Sequence, residues 1–188
     1  MSLSQLDSDG SRLASLGADG VLSVWSHVQG NTPVLGQKLV TSSHLSAAPS
    51  CLLWSVGQGS DKDLIAMGTE AGDVQVYSTS ESRLVHTKKV SGKVLSLCWG
   101  NDNSLYIGTE AGSVHILRLG EGEDKIISDP NLHNPVHCLA VHGGTLAIAS
   151  RNIVLWDLKS RTSKTLSGHN SPVTSLHFDA SGTLLFSR

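Results

Sequence analysis

Along this chain, short runs of alternating apolar and polar residues recur, each bounded by residues that favour turns. Four of them read VLSVW (21–25), VQVY (74–77), VHIL (114–117) and IVLW (153–156). Alternation with a period of two marks a strand with one face against a core. The fourth run is apolar throughout and predicts a strand buried on both faces. Upstream of each lies a second apolar run, Leu13–Leu16, Leu64–Met67, Leu105–Ile107 and Leu146–Ala149. In three copies a tight turn carrying Gly20, Gly72 or Gly112 separates the two runs, which predicts hairpins in which glycine supplies the positive φ.

The last residues of the four runs, Trp25, Tyr77, Leu117 and Trp156, are spaced 52, 40 and 39 residues apart, near the ~40–45 residue period of a repeated four-stranded unit. One insertion accounts for the long first interval. The pentapeptide GTEAG stands at 68–72 and again at 108–112, which predicts the same strand end and turn in successive units. Each unit opens with a further strand, CLLW (51–54), VLSLCW (94–99), VHCLAV (136–141) and VTSLHF (173–178), with Ser2–Leu6 in that role in the first unit. A fourth strand is expected near Lys38–Thr41, Leu84–Val90, Lys125–Ser128 and Thr162–Leu166.

Four-stranded antiparallel sheets that must cover one another predict an all-β fold, a β-propeller. The units run about 1–44, 45–91, 92–133 and 134–169, with a partial one at 170–188, so an incomplete ring of about four and a half four-stranded blades is expected. A seven-bladed ring needs roughly 300 residues at this period. The sequence is therefore expected to be a fragment, exposing apolar surface and strand edges when alone.

Composition narrows the function. Of 188 residues 39% are hydrophobic, enough for a core, while 16% are charged with a net charge of −2; no bulk field attracts phosphate backbones. Cys51, Cys98 and Cys138 are odd in number and lack ligand spacing, as free thiols in a reducing compartment would be. The first residues have no basic cluster and apolar segment of a leader.

No catalytic, cofactor or metal site is expected. His133, His137 and His142 fall on and around one strand, where residues four apart are more than ~13 Å along the chain, too far for one zinc. Asp7-Ser8-Asp9-Gly10 opens like a calcium loop, but Ala18 occupies the twelfth position, where a bidentate Glu belongs. There is no G-x-S-x-G; the G-x-G pairs at 57–59 and 120–122 lack a third Gly, and GKV at 92–94 lacks the preceding one. One modest basic group, Arg83, Lys88, Lys89 and Lys93, reads as a solvated outer strand or as a docking patch for a protein or a few RNA phosphates.

The segments IVLWDL (153–158) and SGHNSPVTSLHF (167–178) resemble the WD-repeat (WD40) family, with a Trp-Asp signature at Trp156-Asp157 and a Gly-His signature at Gly168-His169. The resemblance implies a structural set of His, Ser or Thr, Asp and Trp in each blade. Asp19, six residues before Trp25, matches it; Ala71, Ala111 and Ser150 depart from it. Within the family the chain is most similar to the N-terminal propeller of the nucleolar WD-repeat subunit of the t-UTP (UtpA) subcomplex of the small-subunit processome. SSHLSAAPSCLLW (42–54), DLIAMGTEAGDVQVYSTSESRLVHTKKVSG (63–92), LAIASRNIVLWDL (146–158) and TLSGHNSPVTSLHF (165–178) carry that likeness. It implies a non-catalytic scaffold in nucleolar ribosome biogenesis, bound to other protein subunits of a large ribonucleoprotein, with indirect or weak pre-rRNA or snoRNP contact and no membrane or small-molecule partner. A generic WD40 adaptor, in a ubiquitin ligase or a signalling assembly, is the alternative.

Overall fold

A computed structural model describes residues 2–28, 34–42, 45–55, 63–119, 125–127, 129 and 132–188. The G-x-G pairs at 57–59 and 120–122, residues 43 and 44 of the first resembling segment, and Ser128 lie outside the described residues. The chain forms two compact units, residues 1–89 and 90–188.

The first unit holds two four-stranded antiparallel sheets. One runs β1 (Leu3–Leu6), β2 (Arg12–Leu16), β3 (Leu22–Val28) and β4 (Val34–Ser42); the other runs β5 (Pro49–Trp54), β6 (Leu64–Thr69), β7 (Asp73–Ser78) and β8 (Arg83–Lys89). In each, chain neighbours are sheet neighbours, the arrangement that short turns between alternating runs enforce. Leu16, Leu22 and Val24 of the first blade pack with Trp54, Ile65, Met67 and Tyr77 of the second in one core. Neither blade could bury both of its faces alone.

The second unit contains β9 (Val94–Trp99), β10 (Ser104–Thr109), β11 (Val114–Arg118) and β12 (Lys125–Ile127), then β13 (Cys138–His142), β14 (Thr145–Ala149), β15 (Ile153–Asp157) and β16 (Ser163–Leu166). A two-stranded sheet, β17 (Leu176–Phe178) with β18 (Leu185–Ser187), follows. Val114, Val136, Leu139, Leu146 and Ile148 form the core between the first two of these sheets. Ala147, Ala149, Ile153, Val173 and Leu176 form the next.

The repeated GTEAG does the same work twice. Gly72 N–H donates to Thr69 C=O at 3.2 Å and Gly112 N–H to Thr109 C=O at 3.1 Å. The two glycines have φ of 88° and 82°, a region costly for any residue with a Cβ. Each threonine hydroxyl then accepts from the N–H four residues on, Asp73 at 2.9 Å and Ser113 at 3.2 Å. The glutamates tie the turns to the preceding segment through their N–H groups, Glu70 to Ala48 C=O and Glu110 to Lys93 C=O, both at 2.9 Å.

The run IVLW is covered on both faces, as expected: Ile153 and Leu155 pack on one core and Val154 and Trp156 on the other, with Leu155 and Trp156 partly exposed toward the strand end. Two expectations shift. The opening strand expected at 136–141 begins at Cys138; His137 N–H still reaches Ala149 C=O at 2.9 Å, while Val136 N–H turns to Thr109 C=O at 3.0 Å in the previous blade. The strand expected at 173–178 is confined to Leu176–Phe178, since Val173 N–H is taken by Ser150 C=O at 2.9 Å, outside its own sheet.

Candidate functional site

The residues of the WD signature lie in three places: the β2–β3 hairpin, the end of β15 and the segment between β16 and β17. Trp25, in β3, donates its indole N–H to Ser15 Oγ of β2 at 3.3 Å. Asp19 sits in the turn between these strands, where its carboxylate accepts from Val21 N–H at 3.1 Å. Asp157, at the end of β15, accepts from Ser160 N–H at 2.6 Å and Lys159 N–H at 2.9 Å. Those donors, Ser160 foremost, hold its pKa below the ordinary aspartate value. His169 Nε2 lies 2.8 Å from Ser187 Oγ, so the Gly168-His169 pair is joined to β18.

The carboxylates that resembled a cation loop are occupied by turn geometry. Asp7 accepts from Arg12 N–H at 3.0 Å and from Arg12 Nε at 2.8 Å; Asp9 accepts from Ser11 N–H at 2.9 Å. Asp179 plays the corresponding part in the last blade, accepting from the Ser181 hydroxyl and from Leu184 N–H at 2.7 Å. These donors pull its pKa down to about 2. His133 is exposed in a connecting segment, His137 is half-buried ahead of β13, and His142 packs its ring against Phe178 at 5.9 Å. Among the described residues no group of three or more His, Cys, Asp and Glu could hold a metal ion.

Two of the four basic residues are paired with carboxylates of their own unit. Arg83, Lys88 and Lys89 belong to β8 of the first unit and Lys93 to the second. Arg83 pairs with Glu81 at 2.5 Å, and Lys89 pairs with Asp73 at 2.9 Å. Asp73 also accepts from the Ser46 hydroxyl at 2.7 Å, and these contacts, Lys89 first, lower its pKa. The thiols are placed for packing. Cys98 is pushed up to about 12, mainly by burial, and Cys138 is raised for the same reason, which keeps both as unreactive thiols.

Two features escape a reading of local sequence. Arg12 joins the blades of the first unit: its guanidinium meets Asp7 and Asp63, and lies 4.7 Å from the centre of the Trp54 ring. The second is a groove of about 640 Å³ in the second unit, between the outer part of the β9–β12 sheet and the end of β15. Its floor is Tyr106, Ile116, Ile126, Trp156 and Leu158, and Arg118, Lys125 and Arg161 stand around it. Burial, together with the nearby Asp102 carboxylate, raises the Tyr106 phenol to about 12, so it remains a neutral hydroxyl. Ile148 occupies the position that Ser15 has in the first blade. Trp156 therefore finds no hydroxyl partner across its hairpin and turns a face to the groove.

Residues 59–143 match the family model described as the anaphase-promoting complex subunit 4 WD40 domain. WD repeat-containing protein 43 of Homo sapiens is 30% identical over 188 residues, covering 85% of this chain and 27% of that protein. The chain thus spans about a quarter of the length of the curated relative it matches. Together with the sheet topology, these likenesses give the fold as WD40 β-propeller blades, with four four-stranded sheets and one two-stranded sheet among the described residues.

Proposed function

We propose that the chain is a non-catalytic scaffold of nucleolar small ribosomal subunit biogenesis, holding protein subunits of the machinery that transcribes and processes pre-rRNA. The observation that carries the scaffold reading is how the polar residues of the turns are used. Thr69, Thr109, Asp7, Asp157 and Asp179 each hold their own loop through backbone N–H groups. Loops fixed in this way on stacked sheets present surfaces at constant angles, which suits docking of several partners. The nucleolar assignment is supported by the likeness of segments 42–54, 63–92, 146–158 and 165–178 to the t-UTP propeller, and by the similarity to another WD-repeat protein over most of this chain.

A second reading, an adaptor in another multi-subunit complex such as a ubiquitin ligase or signalling assembly, is favoured by the match of residues 59–143 to a domain of an anaphase-promoting complex subunit. Affinity capture of the tagged chain from cells, followed by mass spectrometry and fluorescence localisation, separates the two. The nucleolar reading expects pre-rRNA processing factors and a nucleolar signal. Enrichment of a different complex, with the signal elsewhere, overturns it.

A further inference from the structure

The one serine-proline pair of this chain, Ser171-Pro172, stands in the segment between β16 and β17. From Ser167 to Pro172 six consecutive residues are exposed, and none of them belongs to a strand. The Ser171 hydroxyl has no hydrogen-bond partner among the described residues. The hydroxyls of Ser11, Ser46, Ser160 and Ser181 are by contrast held by neighbouring side chains. Pro172 has no N–H, so the segment gives up no ladder bond there when an enzyme cleft draws it in, and the residue before a proline is kept out of the helical region.

Just beyond the pair the segment is anchored. Val173 is buried, and its N–H donates to Ser150 C=O of the β13–β16 blade at 2.9 Å. Ser171 precedes one end of that bond by two residues and Arg151 follows the other by one; at about 3.8 Å per Cα step, a phosphoserine and an arginine side chain can meet across it. Arg151 is exposed and forms no ion pair among the described residues. Every residue from 132 to 188 is described, so both sides of this joint are complete. At the preceding joint Val136 N–H donates to Thr109 C=O at 3.0 Å, but Asn134 and Glu110 hold the two corresponding places. There the hydroxyl is missing and a carboxylate would repel a phosphate.

We propose that Ser171 is a phosphorylation site for a proline-directed serine/threonine kinase, and that Arg151 receives the phosphate across the blade joint. In the transfer, Ser171 Oγ attacks the γ-phosphorus of ATP. The Oγ–P bond forms, the bond from that phosphorus to the β,γ-bridging oxygen breaks with its electron pair leaving on ADP, and the hydroxyl proton passes to the aspartate of the kinase's catalytic loop. Pro172 fills the pocket that such a kinase offers to the residue after the acceptor. The product carries a charge of about −1.5 to −2 at neutral pH, and a guanidinium can meet its oxygens at two points. Modification thus adds a charged clamp beside the backbone bond of Val173. The inference does not depend on which partners the chain holds.

The test uses the full chain with a recombinant cyclin-dependent kinase and ATP, read by site-resolved mass spectrometry and thermal melting. Thr32→Ala is carried throughout, because Thr32-Pro33 is the other Ser/Thr-Pro pair and lies outside the described residues. Phosphate is expected on Ser171 of the folded chain, at a rate that falls about tenfold or more in Pro172→Ala. The phosphorylated chain should melt about 2 °C or more above the unmodified one. Arg151→Ala should be phosphorylated at the wild-type rate and gain nothing in melting. Both substitutions are at exposed positions, and unchanged melting before phosphorylation shows that these variants fold. The proposal is overturned if the folded chain stays unmodified at Ser171 or if Pro172→Ala is modified as fast as the parent chain. It is equally overturned if the phosphate fails to raise the melting temperature, or raises it as much in Arg151→Ala.

Discussion

Arg12 and Asp63, 51 residues apart in sequence, meet at 2.6 Å and tie the first blade to the second. Their side chains are 18% and 21% exposed, so the pair is neither a solvated surface bridge nor a dry one. Arg12 also donates to Asp7 at 2.8 Å and to Thr79 Oγ1 at 3.3 Å. The Trp54 ring beneath it is itself fixed from below, its indole N–H donating to Gln5 C=O at 3.0 Å. Burial disfavours the charge on Arg12, but the hydrogen bonds to Asp7 and Asp63 outweigh it and raise the pKa above the ordinary arginine value. Arg12→Ala removes a guanidinium that three side chains and a ring converge on, and leaves the Asp7 carboxylate, which is 3% exposed, with its backbone and Ser11 donors but without this cation. The expected loss is about 2 kcal/mol, read as a lower denaturant midpoint. Arg12→Lys should recover only part of it, since an ammonium cannot reach both carboxylates in the same geometry.

Gly108, the first residue of the second GTEAG, is required by packing and not by backbone conformation. A Cβ there would overlap Ser96 Oγ and lie 2.5 Å from Val136 Cγ1 of the next blade. Ser96 Oγ is held by its bond to Val136 C=O at 3.1 Å, so it cannot swing aside freely. Gly108→Ala should destabilise the second unit by about 1–3 kcal/mol. Gly143→Ala, whose Cβ would meet nothing within 4 Å, is the control: its φ of 55° brings backbone strain without overlap, and it should cost less, about 1 kcal/mol. Equal losses in thermal melting would contradict the steric account.

Strands were the legible part of this sequence, because burial of one sheet face writes a period of two into the chain and the tight turns demand glycine. The groove was not legible. Tyr106 and Trp156 each read locally as strand residues, and only the packing of two blades brings them to one surface. Nor could adjacency show that Lys89 is neutralised, although the hairpin register that sets Asp73 opposite it offered a signal: an acid at the start of one strand and a lysine at the end of the next. The fourth strand of the first blade was underestimated at Lys38–Thr41. It extends over Val34–Ser42 and follows β3 through register shifts near Trp25, which break the alternation a pattern search relies on.

Asp73 gives the first unit an acid sensitivity. Its pKa is lowered from 3.8 by Lys89 and then Ser46, so the folded state favours the ionised carboxylate more than the unfolded chain does. That contribution is present above the unfolded pKa and lost as the pH falls through the lower folded value. Asp73→Asn should therefore melt below wild type at neutral pH, with the gap closing as the pH drops below about 4. A gap independent of pH would show that the Asp73 charge is not what stabilises the turn.

Cys98 should resist modification while the fold persists. Its thiol, raised to about 12 by burial, holds little thiolate at pH 8, and alkylation needs the thiolate. Mass spectrometry after brief iodoacetamide treatment should find Cys98 unlabelled in the native chain and labelled in denaturant. Labelling of native Cys98 as fast as that of the denatured chain would place it outside the core.

The tryptophans of β3 and β15 should respond differently to the same change. Trp25 donates to Ser15 Oγ at 3.3 Å, whereas Trp156 faces Leu146 across its hairpin and has Ile148 where the hydroxyl would be. Trp25→Phe deletes a donor and leaves a partly buried hydroxyl with one fewer partner, at about 1 kcal/mol. Trp156→Phe deletes no such bond, and its stability change should fall below half of that. Ser15→Ala supplies the control, because once the hydroxyl is gone Trp25→Phe should cost much less than in wild type. If the two Trp→Phe variants melt alike in the presence of Ser15, the hydrogen bond does not distinguish the blades, and the freedom of Trp156 to face its groove needs another cause.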